Sequence, residues 1–320
     1  MPFQSATRRK FLPLASQAKG ATNPLVWQIP KTGLFGGIYL DMRLTAAGIG
    51  AGADNALGMA SSIRRVRVIT NAGIDLIDIS GPGYYYLLKN FLEDYRDPTP
   101  GNNVLAAPAN AAFNFDMYIP MVLNSRDPVG LFMLQNEQTS VQLQVEFEAD
   151  AVVEATAGFA ITGNVNPSVE IFTVPVDPKD WPPLNVVQQI LEDSVAIAGA
   201  GAYDYYWPRG NTYVQVLHAL GIAAPGAADG WSRAQVIVNQ GDVIADYTPN
   251  SADIEYGKTH GVARGLGTIP VDLIGTSGLG TFGSARDLFY SARVTDLFTR
   301  ITATGAGTLR TVRRQLVSLK

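Results

Sequence analysis

Gly257-Lys258-Thr259 has the ending of a phosphate-binding loop, in which backbone amides and the lysine cradle phosphate oxygens. That loop needs a glycine five positions before Gly257, where Ala252 stands. It also needs a strand leading straight in, where Thr248-Pro249-Asn250-Ser251 intervenes. Gly81-Pro82-Gly83 lacks the spacing of a dinucleotide fingerprint and no alternating strand-helix pattern surrounds it, so it reads as a turn before a helix. The chain holds two histidines, His218 and His260, and no cysteine. Thiolate sites, disulfides and cysteine nucleophiles are therefore excluded, and neither histidine has a His-x-His companion to begin a metal site. Asp75, Asp78, Asp116, Glu146 and Glu148 could supply paired carboxylates for glycoside chemistry, but all fall in alternating strands, where acids face water. Tyr84-Tyr85-Tyr86 and Tyr203-Asp204-Tyr205-Tyr206-Trp207 are aromatic clusters, suited to half-buried packing or to an interface. No cofactor is implied and no catalytic set stands out.

Charge is placed unevenly. Residues 1–40 contain Arg8, Arg9, Lys10, Lys19 and Lys31 without an acid, and residues 297–320 contain Arg300, Arg310, Arg313, Arg314 and Lys320 without an acid. The ends thus carry ten of the 24 basic residues, and the middle sets the remaining 14 against all 28 acids. Ends of this kind suit an anionic surface, lipid or nucleic acid. Arg8-Arg9-Lys10-Phe11-Leu12 imitates an export signal, but the apolar run it needs stops at Ser16. A flexible basic arm over 1–24 is the expectation. No run of 18 apolar residues occurs.

The elements are strands. Ile38–Leu44 alternates imperfectly and Ser140–Glu148 almost without fault, Phe113–Ile119 reads as a strand, Ile63–Ile69 and Ile74–Ile79 joined by Thr70–Gly73 read as a β-hairpin, and a helix is predicted over Tyr84–Tyr95. Leu184–Ile197 has helical spacing, and residues 151–200 read as an inter-domain connection. The second half repeats the first. Gln235–Gly241 matches Arg67–Gly73 at an offset of 168, Thr212–Leu217 echoes Ile38–Leu44, Asn250–Lys258 takes the place of the helix, Gly267–Ile274 that of Phe113–Ile119, and Thr308–Ser318 that of Ser140–Glu148. The fold expected is all-β: two tandem eight-stranded jelly rolls with short flanking helices, the first over 25–150 and the second over 201–320. A duplicated sandwich would also suit a carbohydrate-binding module or a cupin-like enzyme.

This order of hairpin, helix Tyr84–Leu92, strand Phe113–Ile119 and closing strand Val141–Glu148, used twice, resembles the double jelly-roll major capsid proteins of tailless icosahedral, lipid-containing bacteriophages of the corticovirus, tectivirus and finnlakevirus kind. The resemblance implies a non-enzymatic shell protein made in the host cytoplasm and located in the virion. It implies a homotrimer forming a pseudo-hexagonal capsomer, with neighbouring capsomers and minor or vertex capsid proteins as partners. It also implies termini on the inner side, so that Arg8, Arg9, Lys10, Lys19, Arg310, Arg313 and Arg314 would face an internal membrane or nucleic acid. The Gly/Ala-rich loops 46–61 and 221–230 would lie at loop ends of the rolls.

Overall fold

The computed structural model describes residues 7–20, 23–47, 58–86, 112–122, 130–135, 138–154, 158–173, 186–221, 229–260, 264–272 and 289–318. The chain divides into two compact units, the first holding residues up to Pro82 and Tyr95–Gln189, the second Gly83–Asp94 and Ile190–Val317.

Leaving two-residue segments aside, the first half contains β1 (Arg8–Pro13), β2 (Leu25–Gln28), β3 (Leu34–Ala47), β4 (Ile63–Thr70), β5 (Asp75–Ile79), β6 (Ala112–Pro120), β7 (Val141–Phe147) and β8 (Ala160–Thr173). They form two sheets, ordered β1-β8-β3-β6 and β5-β4-β7-β2. The second half contains β9 (Val186–Ile197), β10 (Gly201–Tyr206), β11 (Thr212–Gly221), β12 (Trp231–Val238), β13 (Asp242–Tyr247), β14 (Thr268–Asp272), β15 (Leu297–Ala303) and β16 (Gly307–Ser318). Their orders are β9-β16-β11-β14 and β13-β12-β15-β10. Adding eight to every label of the first half reproduces the second. Two facing four-stranded sheets with this connectivity make a jelly roll, and the chain contains two.

Alternation explains the sheets. In β7, Val141, Leu143, Val145 and Phe147 are buried while Gln142, Gln144 and Glu146 are partly exposed. Their partners Thr70, Val68 and Val66 on β4 are buried in register with them. Ile38, Leu40, Met42 and Leu44 of β3 are buried, opposite Val169, Pro167, Val165 and Gly163 of β8. Gly163 has φ +136°, and a Cβ there would lie 2.1 Å from the Arg43 carbonyl oxygen, so the close strand approach requires glycine. The second roll centres on Trp207, Tyr213, Val216, Trp231, Val236, Ile269, Leu297 and Ile301.

Several boundaries differ from the sequence reading. Residues 8–13, expected in a flexible arm, are the first strand of the first roll, paired antiparallel with β8 from Arg8↔Thr173 to Pro13↔Ser168. The supposed connection over 151–200 contains that roll's last strand, β8, and the first strand of the second, β9. Leu184–Ile197 is therefore extended from Val186, not helical, because pairing overrides the helical spacing and Val186, Val187, Ile190, Val195 and Ile197 suit a pleated surface. Thr308–Ser318 does not correspond to Ser140–Glu148: by position in the sheets, β16 matches β8 and β15 matches β7. The repeat was otherwise aligned as the strands are, with α1 (Gly81–Tyr86) and α2 (Pro249–His260) in equivalent places. Residues 87–95 of the expected first helix, and most of the loops 46–61 and 221–230, lie outside the described residues.

Candidate functional site

The residues singled out for surface contact are the basic ones on β1 and β16, with Lys19. On β1, alternation sends Arg8 and Lys10 to one face and Arg9 and Phe11 to the other. Arg8 and Lys10 are exposed. Arg9 reaches across β8: its guanidinium pairs with Glu170, and Nη2 donates to the Tyr118 hydroxyl at 2.9 Å. Tyr118 in turn donates to Glu170 Oε2 at 2.5 Å. The Glu170 side chain is 1% exposed, so this acid sits on the sheet's polar face yet is covered by its partners. Burial, then the hydrogen bond to Glu170 and its charge, pushes the Tyr118 phenol well above its ordinary range. Lys19 Nζ pairs with Asp150 Oδ1 at 2.6 Å and donates to the Ile161 carbonyl at 3.0 Å, above the Phe147 ring.

The C-terminal cations are not a surface patch. Arg310 donates to Glu192 Oε1 at 2.9 Å, Arg313 pairs with Asp193 Oδ2 at 2.7 Å, and Arg314 Nη1 donates to the Gln215 side chain at 2.8 Å. Arg313 and Arg314 are buried, and Asp193 also accepts from the Tyr205 hydroxyl at 2.6 Å. Two adjacent acids on β9 thus receive two of the arginines on β16. A buried cation is stable only with such partners, and each pair ties the roll's first strand to its last. Arg9, Lys19, Arg310, Arg313 and Arg314 are each engaged inside their own unit, and Lys10 stands exposed on β1 without an ion-pair partner among the described residues.

The acids that might have done chemistry are paired on the outer side of β4. Arg67 holds Asp75 at 2.8 Å, Arg64 holds Glu146 at 2.9 Å, and Arg65 holds Asp78. Asp116 departs from the expectation of a wet acid, being buried on β6 opposite Asp41. His218 is fully buried in the second roll between the hydroxyls of Thr311 and Thr299, edge-on to Tyr205. Burial alone lowers its pKa to about 3, so the ring is neutral. Among the described residues no three acids or histidines converge in a way that could hold a metal ion. Tyr84, Tyr205 and Trp207 are core, whereas Tyr206 is 64% exposed and leans on Phe298.

The sequence reading missed one buried charge centre. The Arg264 side chain is fully buried and pairs with Asp229 at 2.9 Å and Asp253 at 2.8 Å, beneath the Trp231 ring. Burial works to raise the Asp229 pKa, but the Arg264 guanidinium and the Gly267 amide outweigh it and hold the carboxyl below its ordinary value. Glu170 was missed too, although an acid within Val169-Glu170-Ile171-Phe172 is the kind of interruption that signals a partnered charge.

No protein-family model and no curated protein matches this sequence. Solved structures do match, end to end. A structure of Sulfolobus turreted icosahedral virus aligns with a TM-score of 0.72 at 13% identity, over 97% of this chain and 91% of that one. The capsid of PBCV-1 virus aligns with 0.63 at 12% identity, over 99% and 97%. The major capsid protein of bacteriophage PM2 aligns with 0.58 at 14% identity, over 98% of each chain. The fold is that of the double jelly-roll capsid proteins. At such low identity the likeness is one of architecture. It matches what the strand orders alone require of a double jelly roll, since each alignment covers both rolls of this chain.

Proposed function

We propose that this chain is a viral major capsid protein, without enzymatic activity, that assembles as a homotrimer into pseudo-hexagonal capsomers of an icosahedral shell. The observation that carries this is the duplication itself: one strand order used twice in a single chain, matched end to end in a virus structure, a virus capsid and a phage major capsid protein. Three copies of two equivalent rolls supply six similar flanks, which a hexagonal tile needs, and a closed ring uses every flank. The location that follows is the virion, with neighbouring capsomers and minor or vertex proteins as partners. An internal membrane is the further part of this reading. Arg9, Lys19, Arg310, Arg313 and Arg314 are committed within the fold.

Light scattering of the purified full-length protein tests the trimer. A mass of three chains is expected, and a single-chain mass at micromolar concentration would overturn it.

A further inference from the structure

Two sheet edges on this chain are alike in length and opposite in charge. β1, Arg-Arg-Lys-Phe-Leu-Pro, is the outermost strand of its sheet, pairing with β8 on one side, and its residues are exposed but for Leu12. β13, Asp-Val-Ile-Ala-Asp-Tyr, is the outermost strand of its own, pairing with β12. Asp242, Val243, Ile244 and Asp246 are exposed there, Val243 and Ile244 by nearly half. An outermost strand of this kind, with exposed aliphatic side chains, is a template for another strand. Lys10 and Asp242 have no ion-pair partner among the described residues, while Asp246 is held by Arg233 at 2.5 Å.

We infer that β13 of one subunit pairs edge to edge with β1 of the next, with Lys10 set against Asp242. The occupant is a second copy of this chain. The inference rests on the self-association proposed above and names its seam. It assigns Lys10 to a neighbouring subunit and not to lipid.

Four full-length proteins test it: the wild type, Lys10→Glu, Asp242→Lys and the double variant. Each single change should raise the concentration of half-dissociation about three- to ten-fold, because an attraction across the seam becomes a repulsion. The double variant, with the charges exchanged, should return to within about two-fold of wild type. Circular dichroism should be the same for all four, as both side chains are exposed. An equimolar mixture of Lys10→Cys and Asp242→Cys proteins, in a chain with no other cysteine, should give a disulfide-linked dimer on oxidation. Neither protein alone should give it. Unchanged association in both single variants together with no cross-link, in a protein that is still a trimer, would overturn the seam and leave self-association standing. Lys10→Glu losing only its co-flotation with anionic vesicles would overturn the seam in favour of lipid. A wild-type monomer would overturn both.

Discussion

Nε2 of His218, on β11, lies 3.0 Å from the hydroxyl of Thr299, on β15, so the two sheets of the second roll are joined at their centre by a neutral imidazole. Thr299 also accepts from Trp207 Nε1 at 2.9 Å, and Thr311 meets the other ring nitrogen at 2.8 Å. The network satisfies every ring nitrogen it contains. It leaves the ring no acidic partner to support a positive charge.

Acid should therefore weaken the second roll. With the folded pKa lowered to about 3, the unfolded chain takes up a proton below about pH 6.5 that the folded chain refuses until near pH 3. The stabilisation is complete above pH 6.5 and is lost at about 1.4 kcal/mol per pH unit as pH falls through that window. Urea unfolding of wild type and His218→Gln from pH 7 to pH 4 reads it. The two stability curves should converge towards acid, and parallel curves would contradict the prediction.

Arg264 should be costly to remove. Arg264→Met leaves Asp229, which also accepts from the Gly267 amide, without its cation in a largely covered position. Breaking a buried pair from one side costs about 3–5 kcal/mol. Chemical denaturation should show a loss of that order, and a loss below about 1 kcal/mol would mean that the three charges contribute little.

Glu170 should govern how firmly β1 is held. In Glu170→Gln the amide can still accept from Tyr118, but the charge opposite Arg9 is gone. Charge-assisted bonds are about twice as strong as neutral ones, so amide exchange over residues 8–13 should quicken about ten-fold. The interior of β3 should be unaffected. Equal acceleration in both strands would point to general destabilisation in place of a local clasp.

Gly163 should not tolerate a side chain. Gly163→Ala places a methyl against the backbone of Arg43 at positive φ, where neither strand can yield cheaply. A fall in melting temperature of several degrees is expected, at about 4–8 °C per kcal/mol for a small domain and less for a larger one. An unchanged melting temperature would show that the strands separate there without penalty.

Much of the fold was legible where burial alternates. β7 is legible from Val141, Leu143, Val145 and Phe147 at every second position, β4 and β5 from the turn Thr70–Gly73 between them, and the match of Gln235–Gly241 to Arg67–Gly73 exposes the duplication. β1 was illegible because an edge strand exposed on both faces has no apolar period; Arg8-Arg9-Lys10 becomes a strand through its pairing with β8. β9 was misread because Val187, Ile190 and Ile197 are spaced as a helix would space them, and only neighbouring strands decide the matter. With β1 and β8 missing from the first roll, β16 was aligned to β7 in place of its true counterpart. The basic ends misled for a related reason. Arg310 and Arg313 find Glu192 and Asp193 some 120 residues earlier in the chain, a relation that no local pattern announces.

The account depends on two equivalent rolls being made to tile against further copies of themselves. Electron microscopy of the purified full-length protein tests this most directly. Class averages should show a flat tile with six lobes of similar size around a three-fold axis. Isolated two-lobed particles at every concentration, with no ring formed, would contradict it.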